Sequence, residues 1–480
     1  MTATLLNNIH LAIPEIFILS MACIILVVDL FLTEKNRHIT YLLSQLTLVV
    51  AFFLTLNLFS NETFYIFSQT FIADPMSSVL KLVVYIATFV TFLYSKDYLK
   101  ERNIFLGEYF VLGLFGVLGM MIMISASSML TLYLGLELLS LCLYAMVALQ
   151  RDSSKASESA MKYFVLGAIA SGMLLYGMSM IYGATGSLDL QVISQQLASV
   201  TNKTVLAFGL VFIIVGVAFK LGAVPFHMWI PDVYQGSPTA VTLYIASAPK
   251  IAAFAMLMRL LVGGLLELHV QWQGILIILA ISSMAIGNIV AIAQTNIKRM
   301  LAYSAISHVG FLMLGVLSGT AEGFAASMFY IITYVLMSLA SFGMIIIMSR
   351  KGFEADKLDD YKGLNQRNPW FAFMMMFIMF SMAGVPPFVG FWAKLSVLKA
   401  VVSADLLWLA AVAVVFSIIG AFYYLRIIKV MYFDKPEVTD EIECASDLKW
   451  SFSLNAALIL LIGLMPDRLL ALCKQVVMTG

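Results

Sequence analysis

The chain has 480 residues, of which 62% are hydrophobic and 11% charged, with a formal net charge of +1 and a mean hydropathy of +0.97. A soluble protein carries about 25% charged residues, so composition excludes a soluble domain. The near-zero charge offers no electrostatic footprint for nucleic acid or an acidic substrate.

The first apolar run continues to Phe31, and MTATLLNNIHLAIPEIFILS carries no Lys or Arg. A signal peptide opens with positive charge and closes on small residues, so an uncleaved first span is expected. Runs of about 20 apolar residues, enough to cross a bilayer, recur near 12–32, 40–59, 76–95, 108–127, 129–150, 159–183, 204–222, 239–263, 271–293, 299–318, 323–349, 370–402, 405–432 and 450–470. The expected fold is an all-α polytopic membrane protein of about fourteen spans. Lys and Arg gather in alternate loops: Lys35 and Arg37; Lys96, Lys100 and Arg102; Arg151 and Lys155; Lys298 and Arg299; Arg350, Lys351, Lys357, Lys362 and Arg367; Lys429, Lys435 and Lys449. The intervening loops, such as 61–75 and 125–128, are almost free of them. The positive-inside rule then puts the basic loops in the cytoplasm and both termini outside. The connectors are too short to form soluble domains. Segment 188–200 has helix-like apolar spacing, as a surface helix or as a packed connector.

Two spans are broken. In VAFKLGAVPFHMW, Pro225 has no N–H for the carbonyl of Leu221, and Gly222 loosens the same turn. In FSMAGVPPFVGFWAK, Pro386 and Pro387 deprive the carbonyls of Met382 and Ala383, with Gly384 between. Broken backbone at membrane depth is tolerated where it is buried in protein or lines a wet cavity. Interrupted helices in matching positions of two halves suggest inverted repeats. The expected organisation is a three-helix segment over 1–100, five-helix units over 105–265 and 270–433, and a last span within 434–480. Ordinary proline kinks are the bland alternative.

Four charges lie inside apolar runs: Glu137, Lys220, Lys250 and Lys394. A charge at the bilayer centre costs about 2.5–3.5 kcal/mol on insertion scales and normally faces a protein interior or a water-filled path. Burial disfavours a charged amine and a nearby carboxylate restores it. Lys220 beside Glu137 is therefore expected to hold its proton and to release it on separation, with Lys250 and Lys394 relaying it onward. A static ion pair that fixes helix packing is the alternative. His227 and His308 are supporting candidates, since imidazole titrates near neutral pH, although a membrane histidine also serves as hydrogen-bonded packing. Lys162 either snorkels or joins the relay. Glu15, Asp29, Lys81 and Arg259 fall near span ends, where interfacial anchoring is expected. The cysteines Cys23, Cys142, Cys444 and Cys473 form no metal-spaced cluster, and no sequence-level site for a metal, flavin or nicotinamide is evident.

The segments FKLGAVPFHMWIPDVYQGSPT, ASAPKIAAF, QTNIKRMLAYSAISHVGF and FSMAGVPPFVGFWAKLSVL resemble the antiporter-like subunits of respiratory complex I over nearly the whole chain. Within that family the span-twelve residue is a lysine here, Lys394, where a sister subunit has glutamate. The chain also ends soon after the last span, without the long lateral helix of another sister. The resemblance implies a proton channel of two half-channels, with Glu137, Lys220, Lys250 and Lys394 as its proton-transfer residues. It implies no cofactor in this chain, with NADH, FMN, iron–sulfur clusters and quinone in partner subunits, and neighbouring antiporter-like subunits and lipid around it. A cation/proton antiporter of shared ancestry and a purely structural membrane subunit are the rival readings, and a solute transporter is a weaker one.

Overall fold

The protein is described by a computed structural model over residues 8–349, 352–436, 442 and 444–479. Arg350 and Lys351 of the expected basic loops lie outside the described residues. The apolar runs become helices, as their length and the lack of backbone partners in lipid require. The chain begins with α1 (Ile13–Asp29) and α2 (His38–Asn57). A two-stranded antiparallel hairpin of β1 (Phe64–Ile66) and β2 (Phe71–Ala73) follows, pairing Tyr65 with Ile72. Then come α3 (Pro75–Glu101), α4 (Gly107–Ile124), α5 (Met129–Val147) and α6 (Ser154–Thr185). The connector helix α7 (Leu190–Gln196) leads to α8 (Lys203–Leu221), α9 (Trp229–Gly236), α10 (Thr239–Ala246) and α11 (Ala248–Leu257). The second part has α12 (His269–Ile292), α13 (Ile297–Leu317) and α14 (Ala321–Met348). A short α15 (Leu364–Arg367) precedes α16 (Pro369–Ala383), α17 (Val389–Ser403) and α18 (Leu407–Phe433), and the chain closes with α19 (Ser446–Leu464) and α20 (Pro466–Thr479).

Among the described residues, 13 helices are long and apolar enough to cross a membrane. The run at 370–402 differs: it is two helices of 15 residues each, α16 and α17. Each is too short to span alone, because about 20 residues are needed.

Helix starts are set by polar side chains. Ser128, Ser153, Asn202, Asn296 and Thr320 each accept a first-turn N–H, which satisfies donors that lipid cannot. Asp74 and Ser77 form a reciprocal capping box at α3. The hairpin, an addition to the expected all-helical chain, is stitched into the same face by Ile72 N–H to Ser125 O (2.8 Å) and Ser127 N–H to Thr70 O (3.1 Å). Segment 188–200 is a packed connector, with Leu190, Ile193 and Leu197 buried.

The helices α10, α11, α13 and α14 form an almost wholly buried centre. By contrast, α6 and α18 expose apolar side chains such as Ile169 and Ile418.

Four charges expected to anchor at the interface make contacts within the protein. Arg259 is buried and donates to both oxygens of Asp74 (2.7 and 2.8 Å) and to Ile124 O (3.0 Å). Lys81 and Glu15 form a buried ion pair at 2.5 Å. Asp29, partly buried, accepts from Thr40 Oγ1 at 2.5 Å. Each had an opposite charge or a donor on a neighbouring helix, which removes the need to reach water. Lys298 is likewise buried rather than in a solvated loop.

Candidate functional site

Along α5, Tyr133, Glu137, Ser140 and Tyr144 recur at helical spacing, so they share one face. Opposite them stand Ser171 of α6 and Lys220, the second-last residue of α8. Lys220 Nζ donates to Ser140 Oγ at 3.0 Å. Ser171 Oγ donates to Glu137 Oε1 in a short hydrogen bond and lies 3.1 Å from the Tyr133 hydroxyl. Glu137 and Lys220 line one cavity of about 20 Å³, room for roughly one water. The direct ion pair expected between them does not form. Each takes a serine instead, because Ser140 sits one turn beyond Glu137 and meets the amine first.

The break after α8 is a left-handed cap. Gly222 has φ +83° and donates to Ala218 O at 2.8 Å. A Cβ there would lie 1.8 Å from Ile230 Cδ1, so only glycine fits. The chain then passes through a cis Val224–Pro225 bond. The terminal carbonyl, Leu221 O, accepts from Lys250 Nζ at 2.7 Å.

The break after α16 repeats each step. Gly384 has φ +87° and donates to Phe380 O at 3.0 Å. A cis Pro386–Pro387 bond follows. The terminal carbonyl, Ala383 O, accepts from Lys394 Nζ at 2.9 Å, and Ser417 Oγ is also 2.9 Å from that amine. Aligned on the two glycines, Lys394 therefore does what Lys250 does, and the position matching Lys220 is Met382. A cation at the C-terminus of a helix complements its partial negative charge.

A third discontinuity interrupts the run expected to span over 239–263. Between α10 and α11, Ser247 adopts φ −111°, ψ −101°. Its Oγ contacts Leu243 O (2.7 Å) and Tyr244 O (3.1 Å), and Ser338 Oγ donates to Ala246 O (3.1 Å). Lys250 thus sits in the first turn of a half-helix. The available signal was Pro249, since a proline disfavours helical geometry in the residue before it and is at home in a first helical turn. Beyond α11 the helix widens to π geometry over Met258–Gly264.

Trp229 stands between the first cavity and Lys250. It stacks on Tyr163, which lines the cavity, at 4.5 Å and 11°. Lys250 Nζ lies 5.8 Å from the Trp229 ring centroid. Toward the second break, Lys394 Nζ lies 5.1 Å from the Phe311 centroid, and Phe311 stacks on Tyr330. The Tyr330 hydroxyl is 2.7 Å from His308 Nδ1, and Tyr424 OH is 3.1 Å from His308 Nε2. His308 is thus hydrogen-bonded on both nitrogens next to Lys394. His227 is buried, with no hydrogen-bond partner at Nδ1 among the described residues. Lys162 stays at the surface, bridged to Glu158 (2.7 Å) and Asp232 (2.9 Å), outside the buried row.

Among the described residues, no group of three or more His, Cys, Asp or Glu is placed to hold a metal. Lys220, Lys250 and Lys394 rest on hydroxyl and carbonyl acceptors, and no carboxylate is in salt-bridge contact with them among the described residues. The arrangement suits transfer of small cations, protons first, between neutral partners.

Broken helices crossed by a buried lysine row define a membrane subunit of antiporter type. The chain belongs to the NADH:quinone oxidoreductase/Mrp antiporter membrane family, whose model matches residues 126–420. It is similar to NADH-quinone oxidoreductase subunit N of Thioalkalivibrio sulfidiphilus, 62% identical over 462 residues with 96% of each chain covered. To subunit N of Nitrosomonas europaea it is 56% identical over 469 residues, with 98% of each covered. Among solved structures it is similar to a chain of respiratory complex I from Thermus thermophilus with bound aureothin, at 30% identity and TM-score 0.82, covering 96% of this chain and 99% of that one. The Mrp complex from Dietzia sp., at 20% identity and TM-score 0.85 over 98% of this chain and 97% of that one, shares the fold.

Proposed function

We propose that this chain is the subunit N component of a bacterial NADH:quinone oxidoreductase, a multi-pass inner-membrane subunit that moves protons across the membrane. Electron transfer from NADH to quinone belongs to partner subunits, which carry the FMN and the iron–sulfur clusters, and neighbouring antiporter-like subunits and lipid cover the apolar flanks. The basic loops face the cytoplasm and both termini the outer side. Glu137, Lys220, Lys250 and Lys394 carry the proton.

The single observation behind this reading is the contrast between two sets of buried charges. Arg259 and Lys81 are matched by carboxylates at 2.5–2.7 Å. Among the described residues Lys220, Lys250 and Lys394 have only neutral acceptors. A scaffold gains nothing from a buried lysine without a counter-charge, because a hydrophobic residue of similar volume packs as well or better. An amine held by neutral acceptors can exist with or without its proton, since burial opposes the charge and no fixed anion locks it in. Movement of Glu137 toward Lys220 across the small cavity favours the charged form, and its withdrawal sends the proton on toward Lys250 past Trp229.

Lys220→Ala tests this. The complex is expected to assemble and to oxidise NADH with an artificial acceptor, while NADH-driven acidification of inverted vesicles falls severalfold. Full acidification by the assembled variant would favour the scaffold reading.

A further inference from the structure

On the face of the basic loops a cavity of about 510 Å³ opens among α3, α9, α13 and the loop after α14, lined by Arg102, Gln150, Gln235, Ser237, Lys298 and Glu354 among others. A second of about 270 Å³, lined by Lys155, Lys162 and Asp232, shares Gln235, Gly236 and Asp356 with it. Together they reach the facing ends of α9 and α10 on the side of the basic loops.

The larger cavity is built, not incidental. Glu354 accepts from Tyr98 OH (3.1 Å to each oxygen), from Arg102 Nε and Nη2 (3.1 and 2.6 Å), and from Thr239 Oγ1 in a short hydrogen bond. The Thr239 N–H at the start of α10 donates to Tyr98 OH at 2.9 Å. The loop is pinned over α13 by Ile297 N–H to Asp356 O (2.7 Å) and Asn296 Nδ2 to Asp356 Oδ2 (2.7 Å). On the cavity floor is Lys298, only 3% exposed. Its Nζ donates to Ser237 O at 2.7 Å and lies 4.0 Å from Glu354 Oε1.

Polar groups continue inward from there. Ser237 Oγ and Thr242 Oγ1 are 2.9 Å apart, and Thr242 Oγ1 donates to Tyr234 O at 3.0 Å. The Tyr234 hydroxyl is fully buried and has no hydrogen-bond partner among the described residues, and a buried hydroxyl without one marks a place for water. Lys298 lies beside the start of α10, and Ser247 and Lys250 lie past its end. The eight residues of α10 alone rise about 12 Å, too far for direct transfer and short enough for a hydroxyl-and-water chain.

We infer that this cavity is the cytoplasmic inlet of the proton path and that Lys298 is the group that loads it: unlike Lys81 and Arg259, which lie 2.5 and 2.7 Å from their carboxylates, its amine hydrogen-bonds to the neutral Ser237 O and stands 4.0 Å from Glu354. The Lys298 amine takes a proton from cavity water and, as the ammonium, gives it to water on the Thr242 side, returning to the amine. The inference rests on the proton-path reading above.

The test uses the intact complex in inverted vesicles, with Lys298→Ala, Lys298→Arg and Gln235→Cys. Lys298→Ala is expected to lower protons moved per NADH oxidised severalfold. Arginine keeps the charge but cannot give up its proton, so Lys298→Arg is expected to fail as well. Rescue by Arg would reduce Lys298 to a structural cation and overturn the inference. As an arm independent of Lys298, a bulky, membrane-impermeant thiol reagent added from the cytoplasmic face is expected to stop pumping in Gln235→Cys. Undiminished pumping by the labelled variant would place the inlet elsewhere. If Lys250→Ala abolishes pumping while Lys298→Ala and labelled Gln235→Cys pump normally, the inlet falls and the row stands. If Lys250→Ala also pumps normally, the row itself falls.

Discussion

Arg259 and Lys250 lie nine residues apart on one stretch of chain, both buried, and their surroundings separate structure from transport. Arg259 is locked by Asp74 and Ile124 O. Removing it strands a buried carboxylate, which costs about 3–5 kcal/mol. Arg259→Ala is therefore expected to lower the thermal stability of the purified complex or its yield, whereas Lys250→Ala strands only the Leu221 carbonyl and is expected to leave stability nearly unchanged. Differential scanning fluorimetry of the two complexes side by side makes the comparison; equal losses would contradict it. Glu137, Lys220, Lys250 and Lys394 were legible because ionisable residues inside apolar runs are conspicuous. The serines that hold them, Ser140, Ser171 and Ser417, were not, since serine is common in membrane helices and carries no signal of its partner. Lys298 was misplaced into a loop because it begins a helix beside Arg299, and only the fold shows that the loop around Asp356 covers it.

At the scale of elements, the two glycine caps decide where α8 and α16 stop. Gly222→Ala meets a left-handed backbone, at about 1–2 kcal/mol for a residue with Cβ, and a contact of 1.8 Å with Ile230. It is expected to impair assembly more than Gly384→Ala, where the nearest atom is 2.9 Å away on the flexible Lys394 side chain. Blue-native gels of the two variants give the order. The loop held by Glu354 carries a pH prediction. Burial alone would raise that carboxyl, but the Lys298 and Arg102 charges and the hydrogen bonds from Thr239 and Arg102 outweigh it and hold it below its ordinary range. A depressed carboxyl stabilises the fold fully above its ordinary value, about 4.3, and loses that contribution as pH falls through the lower folded value. The loop is thus expected to stay closed across pH 5–8, and Glu354→Gln is expected to open it at neutral pH, read as faster hydrogen exchange over 352–363. Both proline breaks were visible in the sequence because proline removes a donor. The discontinuity at Ser247 left one trace, Pro249, whereas the π-helical turn and the β1–β2 hairpin left none, because tertiary contacts with Asp74 and the 125–128 linker make them.

Across the whole molecule the polar groups form a band. It runs from the Glu137–Lys220 cavity, past Trp229 to Lys250, and in the second part from Lys394 to His308 and its tyrosines. Apolar composition and loop charge made the membrane fold legible. They did not give the packing that encloses α10, α11, α13 and α14 while leaving α6 and α18 exposed, because both sets are equally apolar. Lys162, paired at the surface, lies off the band. Exposed pairs contribute about 0–1 kcal/mol, so Lys162→Ala is expected to leave stability nearly unchanged, as a thermal shift would show. The central claim is that buried lysines without counter-charges carry the proton. Its most direct test is the number of protons moved per NADH oxidised by inverted vesicles containing the Lys250→Ala complex, normalised to assembled enzyme. The account predicts a severalfold fall in proton movement with the complex intact; wild-type proton yield at wild-type turnover would contradict it.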